Sequence, residues 1–536
     1  MSGRVGLRMA QSVKNTYPLS LLVALFILSR FLLFSETPYE WDSVNYAKGF
    51  QHFSLAEDQP HAPGSILYIL LGKVLLPFAG DPIRVQLFIS LLFGLSGLLF
   101  CYRSAKLLVS RRAGLLAALF CLLNPVLWFY GIVAEIYAVV FGLSAAIGYF
   151  LIRLTREKSA KAFFRATFLL GLAGGFRLDV ALFLFPLWIF LLLYYARRSP
   201  SLPIGRSIAL LLLSSGLWFV PTLVHCGGLA EWLRLIKQAM SPVFLQESSL
   251  LYGASLAQHV RMAAKLGAWL FLTIGVPGAV ALFLWYRSIN SVWDKGAVRF
   301  FILWMLPALL FFIVVYIAKP GYLMILLPPA ILFISVVLDK ALRGVYSCFV
   351  LSLLLCLPGI FYFFSPGLCR NEVPYQMRAD KSVQRLFRYT LNDVRYRDRE
   401  NRAFCSLLRS ALPETGMPIF IFSRFSSWSF RTATYYFPDV ESHLIFPGSA
   451  EQKGDHLLYR YRRMMTLPGE EVWSRGREIF LFPHPLSPEG RELATQGIDH
   501  LESETGDGCF RIPSGHYASI RFSTDHLILI PERKGL

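Results

Sequence analysis

The sequence predicts a polytopic α-helical membrane protein of about eleven transmembrane helices, followed by an extracytoplasmic α/β domain. Three observations lead there. Of the 536 residues 55% are hydrophobic and 16% charged, with a mean hydropathy of +0.50, whereas a soluble chain is about a quarter charged. Long apolar runs fill the chain up to Ser365 and then stop. Basic residues cluster in every second connection between those runs. The domain boundary is therefore placed at 365/366, with a membrane domain over 1–365 and a second domain over 366–536.

A span needs ~20 helical residues to cross a hydrocarbon core of roughly 30 Å. Runs of that kind lie near Tyr17–Ser35, Ile83–Tyr102, Ala113–Phe129, Glu135–Ile152, Ala162–Phe176, Val180–Ala196, Ser207–Val224, Leu266–Tyr286, Val298–Ala318, Tyr322–Leu338 and Val345–Phe364. A further apolar piece, Gly64–Gly80, is short and is expected to end at Pro77, which marks a re-entrant or interfacial segment. The connections rich in bases include Arg103, Lys106, Arg111 and Arg112, then Arg153, Arg156, Lys158, Lys161 and Arg165. About 20 Lys or Arg fall on that side against about 8 on the other, the positive-inside asymmetry. The amino terminus is expected in the cytoplasm and the carboxy-terminal domain outside it. The localisation expected is a multi-pass integral membrane protein of the bacterial plasma (inner) membrane.

The formal net charge of +19, from 53 Lys and Arg against 34 Asp and Glu, would ordinarily raise nucleic acid as a partner. About +17 of it belongs to the membrane part, so it records topology, and no nucleic acid is expected. Membrane lipids are the surroundings. Cys226, Cys369, Cys405 and Cys509 fall on the outer side, where a bridge is permitted, but their spacing specifies none.

The outer connections hold the polar residues that call for explanation. The first contains Glu40, Asp42, Glu57, Asp58 and His61 beside Trp41 and Tyr46. The second carries an amphipathic stretch, AEWLRLIKQAM, suited to the membrane surface. Asp42, beside Trp41 at the mouth of an apolar bundle, would be partly desolvated and so suited to proton abstraction; equally, it would cap the helix that follows. Glu40 shares that site or is a solvated loop acid. His61 meets a phosphate or a sugar hydroxyl, or orders the Pro-Gly turn after it. Glu135 opens a span at its outer end, where the helix dipole favours a carboxylate, and an acid at membrane depth is often functional. Arg177 and Asp179 occupy a tight turn as a local ion pair, or the arginine holds a lipid phosphate. Lys319, in another tight turn with Tyr322 close behind, snorkels or neutralises a phosphate. A divalent cation would bind at Asp42 with Glu40 if one is used; the spacing does not decide it.

After a polar, helix-like stretch to about Leu412, strands are expected at Pro418–Ser423, Arg477–Phe482, Tyr517–Phe522 and Leu527–Pro531, the pattern of a small α/β domain. Arg431–Val440 either turns its aromatics toward the membrane domain or packs them in a core. This domain is expected to serve acceptor binding or support, not catalysis.

Four stretches carry a resemblance: YEWDSVNYA (Tyr39–Ala47), HAPGSILYILLGKVL (His61–Leu75), NPVLWFYGIVAEIYA (Asn124–Ala138) and KPGYLMILLPPAILF (Lys319–Phe333). The chain resembles the GT-C superfamily of membrane glycosyltransferases over roughly Tyr17–Phe364, and is similar to the protein O-mannosyltransferases and the aminoarabinose–lipid A transferases. The resemblance implies inverting transfer of a sugar from a polyprenyl-phosphate donor to a lipid, glycan or protein acceptor. It implies that Asp42 lies at the active site. The usual Asp-Glu dipeptide is absent, because Ser43 follows Asp42 and Glu40 precedes it. His61 stands near where relatives have a lysine, and Gly321 stands before Tyr322 where many have arginine. Outside that resemblance, a secondary transporter or a lipid flippase would show a similar charge pattern. A transporter should also show inverted repeats and broken mid-membrane helices, and neither stands out in the sequence.

Overall fold

The computed structural model describes residues 18–198, 203–239, 249–287, 295–317, 319–342, 344–365, 388–413, 418–423, 430–453, 456–464, 471–474, 477–482, 499–504, 508–512, 519–522 and 526–530. The chain divides into two compact units. One gathers the apolar helices; the other joins Glu36–Val44 to the chain from Asp393 onward.

Each of the eleven predicted runs is helical over most of its length. Among the described residues seven helices are individually long and apolar enough to cross a membrane, Pro82–Leu108, Tyr137–Glu157, Leu178–Ala196, Ile204–Cys226, Leu256–Arg287, Gly296–Val314 and Val345–Phe364. An eighth span would be the pair Arg111–Leu123 and Pro125–Ile132, bent by 58°. The remaining runs fall short: Pro18–Phe31 and Ala160–Phe176 are shorter helices, and the last begins as a 3-10 turn, Pro320–Ile325, before Leu327–Ala341.

The bend has a local cause. Pro125 removes a helical donor, so the carbonyl four residues back loses its partner. Asn124 caps the new helix, its Oδ1 accepting from Leu127 N at 2.9 Å. Its Nδ2 donates to Thr273 O at 2.6 Å, itself the carbonyl that Pro277 frees within Leu256–Arg287. The carbonyls left at the end of Arg111–Leu123 are met by Arg30, buried in the first helix, whose Nη2 donates to Leu122 O at 2.8 Å. Such a cation at a helix carboxy terminus also matches the dipole.

The helix Ile66–Ala79 runs through Pro77 rather than ending there and stops at Gly80, whose φ of 72° is left-handed. A proline in the last turn costs only one hydrogen bond, so the helix continues past it. Gly72 lets this helix meet Phe50: a Cβ there would lie 2.1 Å from the ring. The amphipathic stretch forms the helix Leu229–Ala239. Trp232 and Leu235 pack in a cluster with Leu55 and Ala62, and Trp232 Nε1 donates to Pro63 O at 3.1 Å.

Among the described residues of the second unit nine strands form one sheet in the order β4-β8-β9-β3-β2-β1-β5-β7-β6. They are β1 Ile419–Ser423, β2 Glu441–Lys453, β3 His456–Met464, β4 Glu471–Ser474, β5 Ile479–Phe482, β6 Asp499–Glu502, β7 Gly508–Ile512, β8 Ser519–Phe522 and β9 His526–Ile530. β1 lies parallel to both β2 and β5, and the other pairs are antiparallel. The four predicted strands are present as β1, β5, β8 and β9. The helix Leu391–Ala411 supplies Phe404, Cys405 and Leu408 to a core with Phe420, Phe422, Phe480 and Phe482. Phe430 and Phe437 belong to that core, so packing, not outward display, explains the aromatics around Arg431–Val440. Cys226, Cys405 and Cys509 are free thiols; Cys369 lies outside the described residues.

Candidate functional site

In the membrane unit three breaks in helical structure bring the predicted charges together. The first is the turn between Ala160–Phe176 and Leu178–Ala196. Arg177 adopts an extended backbone there, φ −152° and ψ 121°. Its side chain forks onto Asp179, Nε to Oδ1 at 3.1 Å and Nη2 to Oδ2 at 2.9 Å. The expected local ion pair is present.

The second break lies between Pro125–Ile132 and Tyr137–Glu157. Glu135 sits there with 1% of its surface exposed, and its carbonyl accepts from Ser90 Oγ at 3.0 Å. The third is the turn Pro320–Ile325. It brings Lys319 Nζ to 3.7 Å from Glu135 Oε1. A buried carboxylate is costly unless it is paired, and Lys319 supplies the opposite charge.

Aromatic rings join these pieces. The Tyr137 ring lies 4.8 Å from the Arg177 guanidinium and 5.8 Å from Lys319 Nζ. Tyr322 is 5.3 Å from the same guanidinium and 5.6 Å, centroid to centroid, from Tyr137. Rings at these distances stabilise a cation by about 0.5–2 kcal/mol. Gly321 N donates to the Tyr130 hydroxyl at 3.0 Å. A Cβ on Gly321 would stand 2.4 Å from the Tyr137 ring, so only glycine lets the turn approach this closely. His61 lies between two cis prolines, Pro60 and Pro63. Its ring is 6.3 Å from that of Tyr46, which meets Tyr68 at 4.9 Å. Tyr68 interacts electrostatically with both Tyr46 and Glu135.

The structure thus gathers His61, Glu135, Arg177, Asp179, Lys319 and Tyr322 around a wall of tyrosines. Tyr46, Tyr68, Tyr130 and Tyr137 went unassigned in the sequence. Tyr137 had a signal, its place two residues after an isolated acid. Tyr68 sits in a plain apolar run and had none.

Glu40 and Asp42 belong to the second unit. The helix Trp41–Gln51 places Asp42 in its first turn, where the dipole favours a carboxylate. The helix starts through Ser43, whose Oγ accepts from Glu40 N at 3.2 Å and whose N donates to Glu40 O at 3.1 Å. Both acids are half-buried. Trp41 packs against Phe430 at 6.0 Å, with the Arg431 guanidinium 4.9 Å from its ring. Among the described residues no three His, Cys, Asp or Glu side chains converge as a metal site.

A multi-span helical unit with charged residues at its helix breaks, joined in one chain to a mixed sheet, has counterparts among known proteins. Residues 61–225 match the family model of the dolichyl-phosphate-mannose-protein mannosyltransferases. The fold is similar to that of ArnT from Cupriavidus metallidurans bound to undecaprenyl phosphate, with a TM-score of 0.57 at 12% identity over 92% of this chain and 98% of that one. Apo ArnT from the same organism gives 0.54 at 12% identity, over 94% and 98%. An oligosaccharyltransferase from Archaeoglobus fulgidus gives 0.45 at 12% identity, over 80% and 64%. No curated protein matches the sequence.

Proposed function

We propose that this protein is an inverting glycosyltransferase that moves a sugar from a polyprenyl-phosphate donor to an acceptor outside the cytoplasm, lipid, glycan or protein. The observation that carries the reading is the placement of two cations: Arg177 is held by Asp179 and by the rings of Tyr137 and Tyr322, and Lys319 lies beside Glu135 and the ring of Tyr137. A cation held this way is fixed before the ligand arrives, as stabilisation of developing charge requires. Arg177 uses Nε and Nη2 for Asp179, which leaves its Nη1 side for a phosphate oxygen. The similarity to an ArnT structure bound to undecaprenyl phosphate supports a lipid phosphate as that ligand.

In the proposed reaction an acceptor hydroxyl or amine attacks the anomeric carbon. The new bond forms as the bond from that carbon to the donor phosphate oxygen breaks. Asp42 takes the acceptor proton, and Glu40 assists. The polyprenyl phosphate leaves with its increased negative charge facing Arg177 and Lys319. His61 and Tyr322 contact the sugar or the phosphate. The orientation follows from the basic connections: amino terminus in the cytoplasm, second unit outside, in a bacterial inner membrane.

Purified protein given a polyprenyl-phosphate sugar and an acceptor tests this. Arg177→Met should lower kcat by about 10²–10³, the usual cost of losing one such donor. Full activity in that variant would contradict the assignment.

A further inference from the structure

We propose that the helix Leu391–Ala411 is a positioning element for Asp42, acting through Asp398 and Asn401; this rests on the reading of Asp42 as the base. The stretch Glu36–Tyr39 has no secondary structure, yet Thr37, Pro38 and Tyr39 are buried. Its backbone groups must find partners without a helix or sheet to supply them.

One side of Leu391–Ala411 supplies them. Asp398 Oδ1 accepts from Glu36 N at 3.0 Å, from Thr37 N at 3.0 Å and from Thr37 Oγ1 at 2.9 Å. Asn401 Nδ2 donates to Thr37 Oγ1 at 2.8 Å and to Pro38 O at 3.1 Å. The Tyr39 hydroxyl donates to Asp393, and Arg402 pairs with Glu36 at 2.8 Å. Arg397, paired with Glu400 at 3.1 Å, also feels Asp393, Tyr39 and Glu40. Asp398 and Glu400 are each 1% exposed, and hydrogen bonds to a buried carboxylate are about twice as strong as neutral ones.

Three residues after Tyr39 comes Asp42. With Glu36–Tyr39 held and the Trp41 ring packed on Phe430, the chain entering the first turn of Trp41–Gln51 is anchored at two places just before the acid. Precision matters for a base, because a displacement of 1 Å can cost about 10² in rate. Asp398 and Asn401 do not act on substrate in this account. They set where Asp42 stands.

The test uses the full chain in lipid nanodiscs and reads two things, amide hydrogen exchange and transfer kinetics. In Asp398→Ala the amides of Glu36 and Thr37 should exchange fast while those of Pro82–Leu108 stay slow. Its kcat should fall about 10²-fold, with the donor KM unchanged. Asp398→Asn keeps an acceptor oxygen and should recover part of both losses. If Asp398→Ala fails to accumulate, Asn401→Ala, which removes two of the bonds, should show the same pattern at smaller amplitude. Glu36 and Thr37 amides that stay slow in these variants would overturn the proposal, as would fast exchange with unchanged kcat. Asp42→Asn is the control: it should lower transfer by about 10²–10⁴ with those amides still protected. Full activity in Asp42→Asn would overturn the base assignment and the kinetic half of this inference, while the exchange data would still report whether the helix holds the stretch.

Discussion

In the membrane unit, Glu135 is met by Lys319 and Arg177 is walled by Tyr137 and Tyr322; in the second unit, Asp398 takes two backbone amides and a hydroxyl from Glu36 and Thr37. Both carboxylates are almost wholly buried, but their partners differ in kind. Where apolar helices surround the acid, a cation from another turn balances it, and aromatic faces hold the cations. Where the acid meets an irregular stretch of chain, it satisfies backbone donors. The first arrangement fixes charge at the breaks between helices. The second turns charge into backbone position.

The largest effect expected in breaking this contrast is at Lys319. Lys319→Ala should destabilise the membrane unit by about 3–5 kcal/mol, because it strands a buried carboxylate. Pairing Glu135→Gln with Lys319→Gln should restore most of that stability and none of the transfer activity, read by thermal unfolding in detergent and by the transfer assay. A single variant as stable as the parent would show that Lys319 does not balance Glu135.

A smaller effect is expected from pH in the second unit, with opposite signs at two acids. Burial raises the Asp398 pKa against the hydrogen bonds from Thr37 and Glu36 and the charge of Arg395. A raised carboxylate contributes stability that is present below its ordinary range and lost as pH rises through the folded value. Glu441 is also pushed up by burial, but His443 and Arg477 outweigh that and hold it below its ordinary value. Its contribution is present above the ordinary range and lost as pH falls through the depressed value. Unfolding midpoints across about pH 3 to pH 7 should therefore lose their acid-side slope in Glu441→Gln and their upward counterpart in Asp398→Asn. Glu441 is partly exposed, so its share should stay within about 1 kcal/mol.

How much of this was legible follows the same division. An isolated charge in an apolar run has few places to go, so Glu135, Arg177 and Lys319 stood out in the sequence and do gather in the structure. Tyr68 and Arg30 did not stand out, since one lies in a featureless apolar run and the other was absorbed into the first span. The hold of Asp398 on Glu36 and Thr37 joins residues more than 360 positions apart, and no periodicity reports such a pairing. In the sheet, β1 and β5 announced themselves as runs of Ile and Phe. β2 was hidden by Pro447, where its pairing with β3 shifts register, since proline cannot donate to a ladder. β6, DHLE, is mostly exposed and reads as a polar loop.

The central claim is that Asp42 takes the proton in glycosyl transfer from a lipid-linked donor. Transfer by purified wild-type protein and by Asp42→Asn, with folding checked by unfolding midpoint, tests it most directly. The account predicts transfer by the wild type and a loss of about 10²–10⁴ in the variant at an unchanged midpoint. Equal transfer by both proteins would contradict it.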